Sequence, residues 1–202
     1  MDAHAAAVAH GHGGGDENAQ SFERARMGMW LFLASEIMMF GAFFAVYIVL
    51  RMSAPNRDLI EASQAQLNWK LACFNTAVLI LSSFTVVQAV RAIRNGNRGR
   101  CEDMMMLTAV LGCVFLVVKG FEYGAKFDHH IGPSTNIFYS AYFLMTGFHG
   151  VHVLFGVIAL FVCAFFVKQF DAQRYAHVEN IALYWHFVDV VWIFLFPLVY
   201  LL

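Results

Sequence analysis

Five apolar blocks, at residues 27–50, 71–93, 104–125, 137–167 and 180–202, take up most of this 202-residue chain. Each is about as long as the roughly 20 residues a helix needs to cross a ~30 Å hydrocarbon core. Backbone amides find no water in lipid, and blocks of this length without strict alternation satisfy them as helices rather than barrel strands. The expectation is an all-α integral membrane bundle of five transmembrane helices. At 1.5 Å per residue the fourth block would run about 46 Å, so it should tilt or extend past the interface. Only 13% of the residues are charged, about half the share of a soluble domain, which excludes a water-soluble reading.

The connections are short and polar. Ser53-Ala54-Pro55-Asn56, Asn95-Gly96-Asn97-Arg98-Gly99 and Gly132-Pro133-Ser134 carry turn chemistry, and none of these segments is long enough to fold separately. Residues 1–26, with His4, His10 and His12, hold too little apolar content to order themselves and are expected to be a disordered cytoplasmic tail. Residues 27–202 then form the transmembrane domain. The first block begins only at Met27 and is long enough to span, so no cleavable signal peptide is expected. The tail and the 91–103 and 168–179 loops hold Arg24, Arg26, Arg91, Arg94, Arg98, Arg100, Lys168 and Arg174; the other side has Arg51, Arg57, Lys70 and Lys126. The positive-inside rule places the N-terminus in the cytoplasm and the C-terminus in the periplasm.

An ionisable residue in mid-bilayer needs a partner or a purpose. Those inside the blocks are Glu36, Lys119, Glu122, His149, His152, His186 and Asp189. Counted from the predicted cytoplasmic helix ends, Glu36 and Asp189 lie about 14 Å deep and His186 about 9 Å, whereas His152 and Lys119 lie at about 22 Å and Glu122 and His149 at about 27 Å. An inner layer of Glu36, His186 and Asp189 and an outer layer of Lys119, Glu122, His149 and His152 result. The i, i+3 spacing of Lys119 with Glu122, His149 with His152 and His186 with Asp189 puts each pair on one helix face. Two readings stand for this polar network, interhelical hydrogen bonds and a proton-related role. Glu36 is the sharpest case, because its helix offers Ser35 as the nearest polar neighbour and no cation. A proton-exchanging carboxyl fits that setting, and so does a carboxylic acid that donates a hydrogen bond.

Other chemistry is poorly supported. Two histidines ligating one haem need nearly equal depth, yet His186 sits about 13 Å from His149 or His152 on the same scale. Neither an EExxH nor an HExxH array is present, so no zinc or di-metal site is expected in the chain itself. Cys73, Cys101, Cys113 and Cys163 are scattered and read as small buried hydrophobes. Small residues on the fourth helix (Ser140, Gly147, Gly150, Gly156, Ala159) suit close backbone approach. Thr76, Ser82, Ser83 and Thr85 on the second can bond their own carbonyls or a neighbour. Phe32, Phe40, Phe43 and Phe44 on the first read as lipid-facing bulk.

Four segments match one family. Residues 184–195, containing Trp185-His186-Phe187-Val188-Asp189, resemble the closing helix of subunit III of haem–copper terminal oxidases. Thr146-Gly147-Phe148-His149-Gly150-Val151-His152, Ser35-Glu36 with the Phe-rich run after it, and Gly120-Phe121-Glu122-Tyr123 are similar to further segments of that family, in the same order. The resemblance covers about residues 24–202. It implies a subunit of a cytochrome c or quinol oxidase in the bacterial inner membrane. Such a subunit lacks haem and copper, packs on subunit I beside subunit II and, as a candidate, a small subunit IV, supports proton uptake, stabilises the catalytic subunit and holds structural phospholipid. Haem and copper would reside in the partners, and no nucleic-acid partner is expected. By position Glu36 matches the family's buried glutamate, tied to proton uptake, while Glu122, His149, His152, His186 and Asp189 match positions of mainly structural role. Many members have seven helices; the five-helix form resembles that of bacterial bo-type quinol oxidases and many bacterial cytochrome c oxidases. Competing readings are an accessory protein of a nitric oxide reductase, a stand-alone proton transporter built around Glu36 and a haem-b electron-transfer anchor.

Overall fold

Three of the membrane helices start on an asparagine. In the computed structural model, which describes residues 13–65, 67–167 and 175–201, the Asn68 side chain accepts from the Leu71 amide to open α3 (Trp69–Arg94), Asn97 from Arg100 to open α4 (Arg98–Asp128) and Asn136 from Tyr139 to open α5 (Ile137–Phe166). Each cap satisfies an amide that the first turn leaves without a partner. Helix α1 spans Gly13–Met52 and α6 spans Tyr175–Tyr200. These five are long and apolar enough to cross a membrane, and no strand occurs among the described residues.

The helices outrun the apolar blocks. The expected 91–103 loop contracts to Asn95-Gly96-Asn97, since Arg91 and Arg94 complete the last turn of α3, where their charge suits the C-terminal dipole. Gly96 makes the turn at φ 75°, open to glycine without steric penalty. Two expectations need correction. The segment from Gly13 to Arg26, expected to be disordered tail, continues α1, because adding turns to a helix already nucleated in lipid costs little. The connection after Met52, expected to be only a turn, folds into α2 (Ala54–Gln64), with a proline in its first turn, where the missing amide is harmless. His4, His10, His12, Lys168 and Arg174 lie outside the described residues.

Helices α3, α4, α5 and α6 form a square, each packed on two neighbours, while α1 lies outside it, mostly against α6 and more thinly against α5. Trp185 fills the centre of the square and is fully buried. Its Nε1 donates to Ser82 Oγ of α3 at 3.1 Å. Its ring lies against the backbone of Gly112 on α4 and Gly156 on α5, where a Cβ would stand 2.6 Å and 2.8 Å from the indole. Two turns on, Trp192 Nε1 donates to Thr76 Oγ1 at 3.0 Å. Thr85 and Thr108 bridge α3 and α4 at 2.8 Å. The serines and threonines of α3 thus bond both their own helix and their neighbours. Of the glycines expected to allow close approach on α5, Gly156 does so, whereas Gly147 and Gly150 have open space where a Cβ would sit. Phe40, expected to face lipid, is 2% exposed. Its ring packs against His152 and Phe187, because α1 turns that face to the square.

Gly112→Ala should lower bundle stability by about 1–3 kcal/mol through overpacking, since Val157 and the wedged indole both stand 2.6 Å from the new methyl. Gly120→Ala, with nothing within 4 Å, should be nearly silent. Thermal loss of helical circular dichroism in detergent compares the two.

Candidate functional site

A polar contact across the α1–α5 seam joins two of the residues singled out in the sequence. His152 Nε2 lies 3.0 Å from Glu36 Oε2, while His152 Nδ1 lies 2.8 Å from the Phe148 carbonyl. A carbonyl only accepts, so Nδ1 carries a proton. Nε2 then either accepts from a protonated Glu36 or, as imidazolium, donates to its carboxylate. One proton lies between the two in either case, and the pair has no net charge, which keeps its cost in lipid low. The side chains are 15% and 14% exposed, so the pair borders the surface of the chain. Tyr184 of α6 donates to the His152 carbonyl at 3.1 Å and fastens the third helix of the seam.

Glu36 thus meets His152 rather than His186 and Asp189, and the inner-layer assignment is corrected. Depth counted from the edge of an apolar block fails here because α1 is helical far before Met27 and each misplaced residue shifts the count by about 1.5 Å. His149 and His152 do not act as one face either. Three residues along a helix leave about 60° between side chains, enough to aim His152 at α1 and His149 into the square. His149 is 1% exposed, stacks on Trp192 at 5.1 Å and meets the edge of Phe115, and neither ring nitrogen has a hydrogen-bond partner among the described residues.

A second cluster fills the end of the square where α4 and α6 finish. Glu122 Oε2 accepts from Lys119 Nζ at 2.8 Å. Its Oε1 accepts from Tyr142 at 2.9 Å and from Tyr200 at 2.7 Å. Lys119 also donates to Tyr200 Oη at 2.6 Å and sits 4.7 Å above the Trp192 ring, so aromatic faces complete its shell. Lys126 reaches the same carboxylate only at 3.5 Å. Tyr142, Tyr200 and Lys126 were missed in the sequence. The tyrosines carry no charge at neutral pH and so escape a search for costly groups, although Tyr142 stands two turns before His149. Lys126, four residues after Glu122, was counted as a loop charge.

His186 and Asp189 do share a face, which lines a groove of about 340 Å³ between α3 and α6. His186 Nδ1 lies 2.7 Å from Ser83 Oγ. Asp189 is 3% exposed beside Ser83, with no close hydrogen bond to either carboxylate oxygen. Among the described residues no three His, Cys, Asp or Glu side chains assemble as metal ligands.

A square of apolar helices with ion pairs inside it and a fifth helix riveted by a Glu–His pair defines a multi-pass membrane protein. A family model described as cytochrome c oxidase subunit III matches residues 6–202. A Synechocystis protein named cytochrome c oxidase subunit 3 is 36% identical over 197 residues, covering 96% of this chain and 80% of the relative. A Pylaiella littoralis protein of the same name is 38% identical over 186 residues, covering 87% of this chain and 65% of the relative. A Rickettsia bellii protein named probable cytochrome c oxidase subunit 3 is 36% identical over 200 residues, covering 87% and 68%. The chain belongs to the cytochrome c oxidase subunit III family.

Two variants test the clusters. Glu36→Gln should leave the folded yield nearly unchanged, because its amide can still donate to His152 Nε2, whereas Glu36→Leu should lower it; equal yields from both would remove the seam bond from the account of how α1 docks. Glu122→Gln strands two ammonium groups and should cost about 3–5 kcal/mol, the usual effect of breaking a buried pair. Lys119→Met placed on Glu122→Gln should recover part of that loss in thermal melts.

Proposed function

We propose that the chain is the non-redox subunit III of a respiratory haem–copper oxidase, a cytochrome c or quinol oxidase of the bacterial inner membrane. The family match over residues 6–202 carries this reading. In it the chain packs on subunit I beside subunit II. These partners hold the haem and copper and determine the electron donor. The arginines at the α3–α4 turn face the cytoplasm, as does the N-terminus, which agrees with the positive-inside bias.

The chemistry that this chain adds is proton handling and support of subunit I. The Glu36–His152 pair holds one shared proton at a partly exposed seam. A proton delivered to this seam makes the pair cationic, and its release toward the catalytic subunit restores neutrality. The Phe148 carbonyl keeps the imidazole in one orientation throughout. The interior ion cluster lies about 15 Å along α5 from that exchange, counted from Tyr142 to His152, and serves to hold α4, α5 and α6 together.

The test is purification through an affinity tag on this chain in mild detergent, with partner identification and a reduced-minus-oxidised spectrum. Haem signals that appear only together with a large co-purifying subunit are expected, and the haem types then point to the donor. A chain that binds haem when expressed alone, or that brings down no partner, overturns the proposal. Co-purification with a nitric oxide reductase in place of an oxygen-reducing subunit would move the chain to that complex.

A further inference from the structure

An acid inside a bilayer persists where something neutralises it. Of the three acids singled out in the sequence, two find that partner within the chain: Glu36 meets His152 at 3.0 Å and Glu122 meets Lys119 at 2.8 Å. Asp189 is different. It is 3% exposed, and neither carboxylate oxygen has a close hydrogen bond among the described residues. His186, one turn before it on α6, directs Nδ1 at Ser83 Oγ, 2.7 Å away. Arg91 lines the same groove but stands about 12 Å beyond Ser83 along α3.

The depth of Asp189 restricts what can supply its counter-charge. It stands about 21 Å from the start of α6 at Tyr175 and about 17 Å from its end at Tyr200, which is the middle of the span. An inorganic cation finds no water at that level, and a lipid headgroup does not descend so far. A cation held there is carried on a second transmembrane helix, whose backbone satisfies its own hydrogen bonds in lipid. The groove over Asp189, about 340 Å³ between α3 and α6, is open to such a helix. Ile80, Phe84 and Ile193 form its lips, and all three are exposed on this chain. Two parallel apolar ridges with a furrow between them are the surface onto which a neighbouring helix packs.

We infer that the α3–α6 groove seats a transmembrane helix of another subunit, which inserts an arginine or lysine between the two helices and pairs it with Asp189. A carboxylate and a cation buried together form charge-assisted hydrogen bonds that neither can make in lipid alone. Ser83 Oγ, whichever way the proton lies between it and His186, keeps a lone pair for the same donor. The flanks of the incoming helix cover Ile80, Phe84 and Ile193. This inference rests on the proposed membership of a multi-subunit complex, and it adds the face and the chemistry by which one partner is held.

The experiment uses the tagged chain purified in mild detergent with its partners. A photo-cross-linking amino acid at Ile80 or Phe84 is expected to capture a transmembrane segment of another subunit that contains an arginine or lysine. Asp189→Asn keeps the shape of the side chain and removes its charge. Retention of the captured subunit should then fall about tenfold or more, as when one member of a buried interfacial charge pair is lost. Replacing the captured segment's cation by methionine, on top of Asp189→Asn, should recover part of that retention, which a merely structural role for Asp189 would not produce. Equal retention by wild type and D189N overturns the inference, and so does a cross-link to a segment without a cation or to lipid alone. Should D189N fail to fold, as read by helical circular dichroism, the cross-link made with Asp189 in place decides by itself. A preparation that brings down a haem-bearing partner yet gives no cross-link at the groove overturns this inference and leaves the proposed function standing. One that brings down no partner overturns both.

Discussion

The indole of Trp185 touches every helix of the square. It hangs from α6, bonds Ser82 of α3 and lies against the bare backbones of Gly112 on α4 and Gly156 on α5. Lipid removes the hydrophobic drive that would press helices together in water, leaving close packing and hydrogen bonds to associate them. A large flat ring between two glycines supplies both. It fixes the register of four helices at one level, and that register places the neighbouring side chains. Trp192, two turns further along α6, reaches Thr76 and stacks on His149. Tyr200, two turns further still, arrives at Glu122 and Lys119. The interior ion cluster is thus a consequence of where the indole locks α6.

Helix α1 is attached by different means. It makes no contact of the Trp185 kind, and much of its surface is exposed apolar side chain, from Met27, Trp30 and Leu31 to Val49. What joins it to the square is a short line of inward residues, Leu33, Glu36, Phe40 and Tyr47, spaced three, four and seven apart as one helical stripe. Within that stripe Glu36 supplies a hydrogen bond from α1 to α5. Its partner is presented from a helix whose own carbonyl orients it. An outlying helix with a polar rivet leaves its outer face for lipid or for another protein.

The fold was legible because lipid simplifies the code: block length alone finds the five spans, and the Asn95-Gly96 and Gly132-Pro133 pairs mark two of their joints. Side-chain pairing was far less legible. Lys119 meets Glu122 because both sit on one helix, where spacing dictates contact. Glu36 meets His152 across two helices, and no spacing within either one carries that information; it depends on rotation and on how far α1 extends below Met27. Gly112 stands one turn after Thr108 and Ala109, but nothing in that spacing points to α6, so its place under Trp185 emerges only from packing. Helix α2 was hidden for a related reason, since a mean composition as polar as that of a loop conceals an amphipathic helix of about three turns whose Ile60 and Ser63 are buried.

The two polar clusters differ in a way that bears on what each can do. Both carboxylate oxygens of Glu122 accept from buried donors, Lys119 on one and Tyr142 and Tyr200 on the other, so a change in its proton content would disturb several bonds across three helices at once. Glu36 has a single partner, and moving the shared proton from one member to the other breaks nothing, because the bond persists in both forms. A hydrogen-bonded network that is fully satisfied rigidifies its surroundings. A two-member pair at a partly exposed seam adapts. The first arrangement suits a scaffold and the second a proton-exchanging group, which is why the weight of the proposed function rests on Glu36 and His152 rather than on the larger and more highly charged cluster.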